Sequence, residues 1–194
     1  YPKSVKMRSY APVRKGNRKQ IKRAVELLLS AERPIIYTGG GVVQGGAEKE
    51  LTKMVKALGY PCTNTLMGLG GFPASDPLFI GMLGMHGTYE SNMAMYECDV
   101  MLAVGARFDD RVTGDLKKFS PTARIIHVDA DPTSIGKNVR VEVPIVGEAK
   151  DVLADMHVLI PDNVERSNRQ AIEKWWQRIK EWQGVKSLNY DRDS

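Results

Sequence analysis

The sixteen residues 99–114, DVMLAVGARFDDRVTG, decide the fold. Their opening run, Val100–Val104, is apolar at every position, which suits a strand of a parallel sheet covered on both faces rather than one wet on one side. Gly105 ends the run, and Arg107, Asp109, Asp110 and Arg111 follow around a lone Phe108. Four charges within five residues, just past a strand's carboxyl end, fall where open α/β sheets bind their ligands. A salt-bridged surface turn is the competing reading, since exposed ion pairs of this kind are common.

Working outward, the same alternation recurs on both sides. Upstream, Asn17 with Gln20 three residues on resembles a capping box, and Ile21, Ala24, Val25, Leu28 and Leu29 follow at helical spacing, predicting a helix to about Ala31. Pro34 then opens PIIYT, a short β-branched strand ended by Gly39, Gly40 and Gly41. A strand, a glycine loop and a helix form a unit that can cradle a phosphate, because free N–H groups and the helix dipole favour an anion there. The triplet is neither a G-x-G-x-x-G fingerprint nor a lysine-bearing P-loop, so a merely tight turn remains an open alternative. The helix after it carries Ala47, Leu51, Met54, Val55 and Leu58, with Gly59 as its stop. A second strand is expected over 61–65, running into a glycine-rich loop at 67–73. The stretch 79–87, FIGMLGMHG, is apolar but broken by three glycines, and reads either as core filler or as a flat wall against a ring system. Thr88 caps a helix to about Glu97 with Tyr89, Met93 and Tyr96 expected inward.

Downstream, a short helix is expected over 112–119 and a strand over 123–128 ending at Asp129. An acidic residue at such a strand tip can accept bonds from ribose hydroxyls or an adenine amine. Asp131 followed by Pro132 fits equally well as a cap and first helical residue. Residues 140–146 supply a further strand, Gly147 a turn, and 148–160 a helix with Ala149, Val152, Leu153, Met156 and Leu159 on one side. From Pro161 the composition turns polar, and 163–184 predicts a helix with Ile172, Trp175, Trp176, Ile179 and Trp182 on one stripe, which must bury itself against this domain or against something outside the chain. Alternating strands and helices argue for an open parallel sheet with helices on both faces. Residues 1–16, with two prolines and no apolar period, read as an arm, as expected of a piece of a longer chain.

At 194 residues the chain suits one sizeable core plus connecting segments. No apolar run approaches the roughly 18 residues of a membrane span and no signal-peptide pattern opens the chain, so membrane association is not expected and a cytoplasmic location is. Cys62 and Cys98 stand alone and His86, His127 and His157 are scattered, which argues against a metal centre and for plain buried thiols. The net charge of +5 and six cations within residues 14–23 raise nucleic acid as a partner, but no aromatic residue is interleaved, so a solvated helix face is the better reading.

The segments GGG at 39–41, TLMGLGGFP at 65–73, GMLGMHG at 81–87, GARFDDRVTG at 105–114 and HVDADP at 127–132 closely resemble the catalytic large subunit of the acetohydroxyacid synthase (acetolactate synthase) family. The likeness extends over nearly the whole chain and is to the middle domain of that thiamine-diphosphate enzyme, the domain that holds FAD. It implies an α/β, three-layer Rossmann-like domain with a six-stranded parallel sheet over 17–160, flanked by the arm at 1–16 and a linker helix in 161–194 leading to a C-terminal thiamine-diphosphate domain. By resemblance, Gly39, Gly40 and Gly41 approach the phosphate and ribose part of FAD, and Thr65, Leu66 and Met67 line its path. Leu83, Gly84, Met85 and His86 supply ribityl and isoalloxazine contacts, with Gly105, Ala106, Arg107, Asp109 and Arg111 at the strand end. Asp129, Ala130, Gly147 and Glu148 flank the adenosine, and Met85, Asp110 and Arg111 resemble the lining of a substrate tunnel. The family joins two pyruvates to 2-acetolactate and CO2, or pyruvate and 2-oxobutyrate to 2-aceto-2-hydroxybutyrate, in branched-chain amino acid biosynthesis. Its chemistry belongs to thiamine diphosphate with Mg2+ held by other domains, so no catalytic residue is expected within this chain and FAD has a largely structural role. The resemblance also implies the N- and C-terminal domains, a catalytic-subunit dimer and a small regulatory subunit as partners. A structural middle domain of a related decarboxylase with a vestigial nucleotide cleft is the alternative.

Overall fold

The computed structural model describes residues 13–161 and 169–189. Most of the expected arm, the start of the expected terminal helix at 162–168 and the last five residues lie outside the described residues.

The elements alternate as α1 (Arg18–Leu29), β1 (Pro34–Thr38), α2 (Gly40–Gln44), α3 (Glu48–Leu58), β2 (Cys62–Asn64), β3 (Phe79–Met82), α4 (Tyr89–Glu97), β4 (Val100–Val104), α5 (Asp110–Thr113), β5 (Arg124–Asp129), β6 (Val143–Val146), α6 (Ala149–Val158) and α7 (Arg169–Gln183). All six strands are parallel, in the order β3-β2-β1-β4-β5-β6. Every residue of β1 and β4 is buried, as expected of central strands covered on both faces. One apolar layer joins α1, α3 and α6 through Ile36, Leu102, Val104, Ile126 and Val128. The other joins α4 and α7 through Ile35, Tyr37, Met101, Ala103 and Ile125.

The cap at Asn17 forms as its spacing predicts, its side chain accepting from Lys19 and Gln20 N–H, and α1 stops at Leu29, two residues early. Gly59 ends α3 in the left-handed conformation. The tryptophan stripe is buried against this domain: Trp175 and Trp182 pack edge to face, the Trp175 indole donates to the Pro34 carbonyl at 3.0 Å, and the Trp176 indole donates to that of Gly59 at 2.9 Å.

Four local expectations are corrected. In α4 the inward residues are Ser91, Ala94 and Met95, whereas Tyr89 and Tyr96 are exposed and Met93 is half-buried. Ser91 faces in because its hydroxyl donates to the Ile80 carbonyl at the core side of β3. The helix expected over 112–119 is only α5, because Gly114 at φ +54 breaks it and turns follow. Asp131 caps no helix; its carboxylate accepts from Thr133 N–H and the Thr133 hydroxyl in a tight turn. In α6 Leu159 points outward at the C-cap, and Ile160 takes the buried place. Among the described residues no helix is long and apolar enough to cross a membrane.

Candidate functional site

The strand order makes the site. After β1 the chain winds through β2 to β3 on one side of the sheet, and from β4 it winds through β5 to β6 on the other, so the carboxyl ends of β1 and β4 form the topological switch point. Gly39 follows one strand and Gly105 the other, and the two turns interlock. Gly39 N–H donates to the Val104 carbonyl at 2.9 Å and Gly41 N–H to that of Gly105 at 3.1 Å. A β-carbon on Gly41 would lie 2.7 Å from the Gly105 Cα, and one on Gly105, whose φ is +57, would lie 2.6 Å from the Gly41 Cα. Neither position has room for a side chain.

Above this junction lies a groove of about 480 Å³, within the range of roughly 300–1,000 Å³ of small-molecule sites. Its walls are the glycine triplet with Gln44, the stretch Thr65 to Met67, the loop from Gly105 to Asp109 with Arg111, and the Asp129 tip with Asp131 and Ser134. The glycine loop, the charged cluster and the acid after His127 therefore meet at one rim. Leu83 to His86 adjoin the Arg111 end without lining the groove: Met85 N–H donates to the Arg111 carbonyl at 3.0 Å. Ala130 follows the lining residue Asp129. Gly147 lies one strand farther on, its N–H donating to the Asp129 carbonyl at 3.0 Å, and Glu148 turns to Arg14 in a 3.5 Å ion pair. Asp110 is outside the groove, its carboxylate accepting from Arg111 N–H.

The charged loop is anchored by the one residue in it that has no charge. Phe108 adopts φ +55, a conformation uncommon for a bulky side chain, yet it is buried. Its ring meets Tyr37, Phe119 and His127 edge to face at centroid distances of 5.3, 5.9 and 5.1 Å. Asn138 donates to the Phe108 carbonyl at 2.8 Å, and His127 Nε2 lies 2.8 Å from the Ala106 carbonyl. A carbonyl can only accept, so Nε2 carries the proton; burial holds the His127 pKa below its usual value, which keeps the ring neutral. With Phe108 pinned, Arg107 and Asp109 project outward and pair at 3.1 Å, both more than half exposed. The surface-turn reading thus describes that pair correctly, and an exposed pair contributes only about 0–1 kcal/mol.

Tyr37 forms the floor. It is fully buried, its hydroxyl has no hydrogen-bond partner, and it lines the groove. Burial, and secondarily the Asp109 carboxylate, push its pKa well up, so it remains a phenol with a proton to donate. A buried donor left without an acceptor costs about 1–3 kcal/mol. The side-chain-free approach at Gly39 to Gly41 suits a phosphate. At the far end, Asp129 Oδ1 accepts from Asp131 N–H at 2.8 Å, leaving Oδ2 with no partner among the described residues. Asp131 is held below the usual carboxylate range, first by the Thr133 hydroxyl. These features fit a dinucleotide. Among the described residues no group of three or more His, Cys, Asp or Glu is placed to hold a metal ion. Cys62 and Cys98 are buried away from the groove, and burial pushes Cys98 up to about 12.

Tyr37, Gln44, Phe108, Asn138 and Ser134 are not legible as site residues in the sequence. Only Phe108, an aromatic alone among charges, carries a signal there.

This all-parallel six-stranded sheet, with a groove at its switch point, is an open α/β domain of the doubly wound kind. Residues 21–156 match the family model described as thiamine pyrophosphate enzyme, central domain, and the chain belongs to that family. Over its whole length it is 47% identical to the acetolactate synthase large subunit of Buchnera aphidicola subsp. Schlechtendalia chinensis and 47% identical to the acetolactate synthase isozyme 3 large subunit of Escherichia coli K12, covering 34% of each. Over 155 residues, 80% of this chain and 26% of the relative, it is 51% identical to a probable acetolactate synthase large subunit of Methanocaldococcus jannaschii. The chain spans about a third of the length of the curated relatives it matches.

Proposed function

We propose that this chain is the FAD-binding central domain of a cytoplasmic acetolactate synthase large subunit. The observation that carries the reading is the groove at the switch point, with glycines at its base and Tyr37 among its lining residues. Five gaps between strands at about 4.8 Å give a rim about 24 Å long, along which the candidate segments succeed one another in strand order. In this reading Gly39 to Gly41 approach the phosphates, with Arg107 as a charged donor. Thr65 to Met67 and Leu83 to His86 lie toward the flavin ring, and Asp129, Ala130, Gly147 and Glu148 toward the adenosine. Met85, Asp110 and Arg111 face the substrate path.

In the whole enzyme, thiamine diphosphate held with Mg2+ by the other domains supplies the carbanion chemistry that joins two pyruvates, or pyruvate and 2-oxobutyrate, with loss of CO2. The contribution of this chain is to bind and orient FAD and to shape one side of the approach to that centre. Residues 161–194 then lead toward the C-terminal domain, after α7 has been seated on the sheet. The partners are the flanking domains, a second large subunit and a small regulatory subunit, and the setting is branched-chain amino acid biosynthesis.

The test uses the full-length polypeptide: 2-acetolactate formed from pyruvate, and FAD released on denaturation. The reading requires both activity and about one FAD per chain. Activity from a protein that neither contains FAD nor responds to it would point to the vestigial cleft instead, and failure to form acetolactate would reject the assignment.

A further inference from the structure

Sulfur is distributed unevenly over this fold. Met54, Met95, Met101 and Met156 are buried, and Met82 and Met93 are half-buried. Met67 and Met85 alone among the methionines of the described residues are exposed, at 69% and 64%. Both cysteines are buried, and burial raises their pKa, that of Cys98 to about 12, so neither presents a thiolate to solvent. Among the described residues, the sulfur atoms most open to an oxidant in solution are therefore these two thioethers. Both stand at the groove: Met67 lines it, and Met85 adjoins its Arg111 end.

Neither side chain is exposed for want of a fixed backbone. Met67 sits in the tight turn Leu66–Gly68, closed by Thr65, whose hydroxyl accepts from Gly68 N–H at 3.0 Å. Its Cβ would lie only 3.2 Å from a β-carbon on Gly40. Met85 N–H donates to the Arg111 carbonyl at 3.0 Å. The preceding Gly84 is held by Asn92, its N–H donating to Oδ1 at 2.8 Å and its carbonyl accepting from Nδ2 at 3.0 Å. A pinned backbone with the thioether turned to water gains little from core burial, and it suits contact with a flat ring, against which sulfur packs favourably.

Resting on the flavin reading above, we propose that Met67 and Met85 are an oxidation-sensitive pair: a hydroperoxide converts them to sulfoxides in the FAD-free protein, and the oxidised rim takes up FAD poorly. In this step a sulfur lone pair attacks the terminal peroxide oxygen, the S–O bond forms and the O–O bond breaks. The proton of the transferred hydroxyl passes to the leaving oxygen, which departs as water or an alcohol. The thioether is oxidised by two electrons and the peroxide is reduced by two. A sulfoxide is polar where the thioether was apolar, so the contact with the ring is lost. Bound FAD covers both sulfur atoms and spares them.

The test treats the full-length polypeptide, without and with saturating FAD, with hydrogen peroxide and maps sulfoxides by peptide mass spectrometry. FAD affinity is read from quenching of flavin fluorescence before and after treatment. In the FAD-free protein, oxygen should enter at Met67 and Met85 ahead of Met54, Met95, Met101 and Met156, and affinity should fall by about tenfold. FAD present during treatment should slow oxidation at both positions. Met67→Leu/Met85→Leu nearly conserves volume and removes both sulfurs, so peroxide should leave its affinity at the variant's own untreated value. Repair of oxidised wild type by the two methionine sulfoxide reductases with dithiothreitol should restore affinity as the sulfoxides at 67 and 85 disappear, which decides the matter should the variant fail to fold. Oxidation of the buried methionines as fast as the rim pair, no protection by FAD, sulfoxides at both positions with unchanged affinity, or an equal loss in the double variant overturns this inference alone. An untreated protein with no affinity for FAD defeats the flavin reading and this inference with it.

Discussion

Replacing Gly105 with alanine tests whether the two turns at the switch point are interlocked. The residue sits at φ +57, where an L side chain costs about 1–2 kcal/mol. Its new β-carbon would also lie 2.6 Å from the Gly41 Cα and 3.0 Å from the Val42 nitrogen, both backbone atoms that cannot rotate away. Overpacking of this kind costs about 1–3 kcal/mol. Gly46 provides the control, because it has nearly the same φ, +59, and a β-carbon there would meet nothing within 4 Å. Alanine at that position incurs the conformational cost alone. Against that, either alanine restricts the unfolded chain and recovers about 0.4–1 kcal/mol. Gly46→Ala should therefore destabilise by about 1 kcal/mol or less and Gly105→Ala by about 2–4 kcal/mol, measured by urea denaturation of the 194-residue chain. Because the clash falls between the loops at the groove's base, Gly105→Ala should also weaken FAD binding, read by quenching of flavin fluorescence, whereas Gly46→Ala should not. Equal stabilities of the two variants would refute the interlock, whatever the effect on FAD.

Arg107→Ala should weaken FAD retention in the full enzyme by about 1.5–3 kcal/mol, through loss of a charged donor; unchanged flavin content would leave Arg107 as a surface ion-pair member only. Phe108→Ala should cost about 3–5 kcal/mol in urea denaturation, since it empties the position between Tyr37, Phe119 and His127; a cost near 1 kcal/mol would mean the loop is held mainly by Asn138. His127 has a lowered folded-state pKa, so the unfolded chain binds the extra proton first. Its contribution is present above the unfolded value of about 6.5 and is lost as pH falls toward the folded value, with a slope of up to about 1.4 kcal/mol per pH unit. His127→Gln should flatten the fall of the denaturation midpoint as pH drops below about 6.5, and an unchanged slope would place the titration elsewhere.

The legible parts of the fold are those in which local pattern and tertiary setting agree. Strands β1 and β4 read as buried because they are apolar at every position, and α1 and α3 because their cap residues and apolar spacing coincide. Strand β3 is hidden by Gly81, at φ +97, in a four-residue edge strand that is only partly buried; the expectation of six strands comes from family likeness, not from periodicity. Helix α2 is hidden because GGVVQ is a poor helix former, held in place by Gly105 and by the turn at Met67. The inward face of α4 departs from the apolar pattern because a serine hydroxyl with a buried acceptor outcompetes two tyrosines whose hydroxyls favour water. The site follows the same division. Glycines and clustered charges announce its rim, but its floor, Tyr37, reads in sequence as an ordinary strand residue, and the Asn138 bond to Phe108 joins positions 30 residues apart.

The most direct test of the rim is an amide NMR titration of the isotopically labelled chain with FAD. A groove across the carboxyl edge predicts shifts at Gly39 to Gly41, Thr65 to Met67, Gly105 to Arg111 and Asp129 to Asp131, with the amides at the opposite strand ends, such as Ile35 and Met101, unmoved. Saturable shifts confined to those opposite ends, or no shifts at millimolar FAD, would contradict the groove as the flavin site.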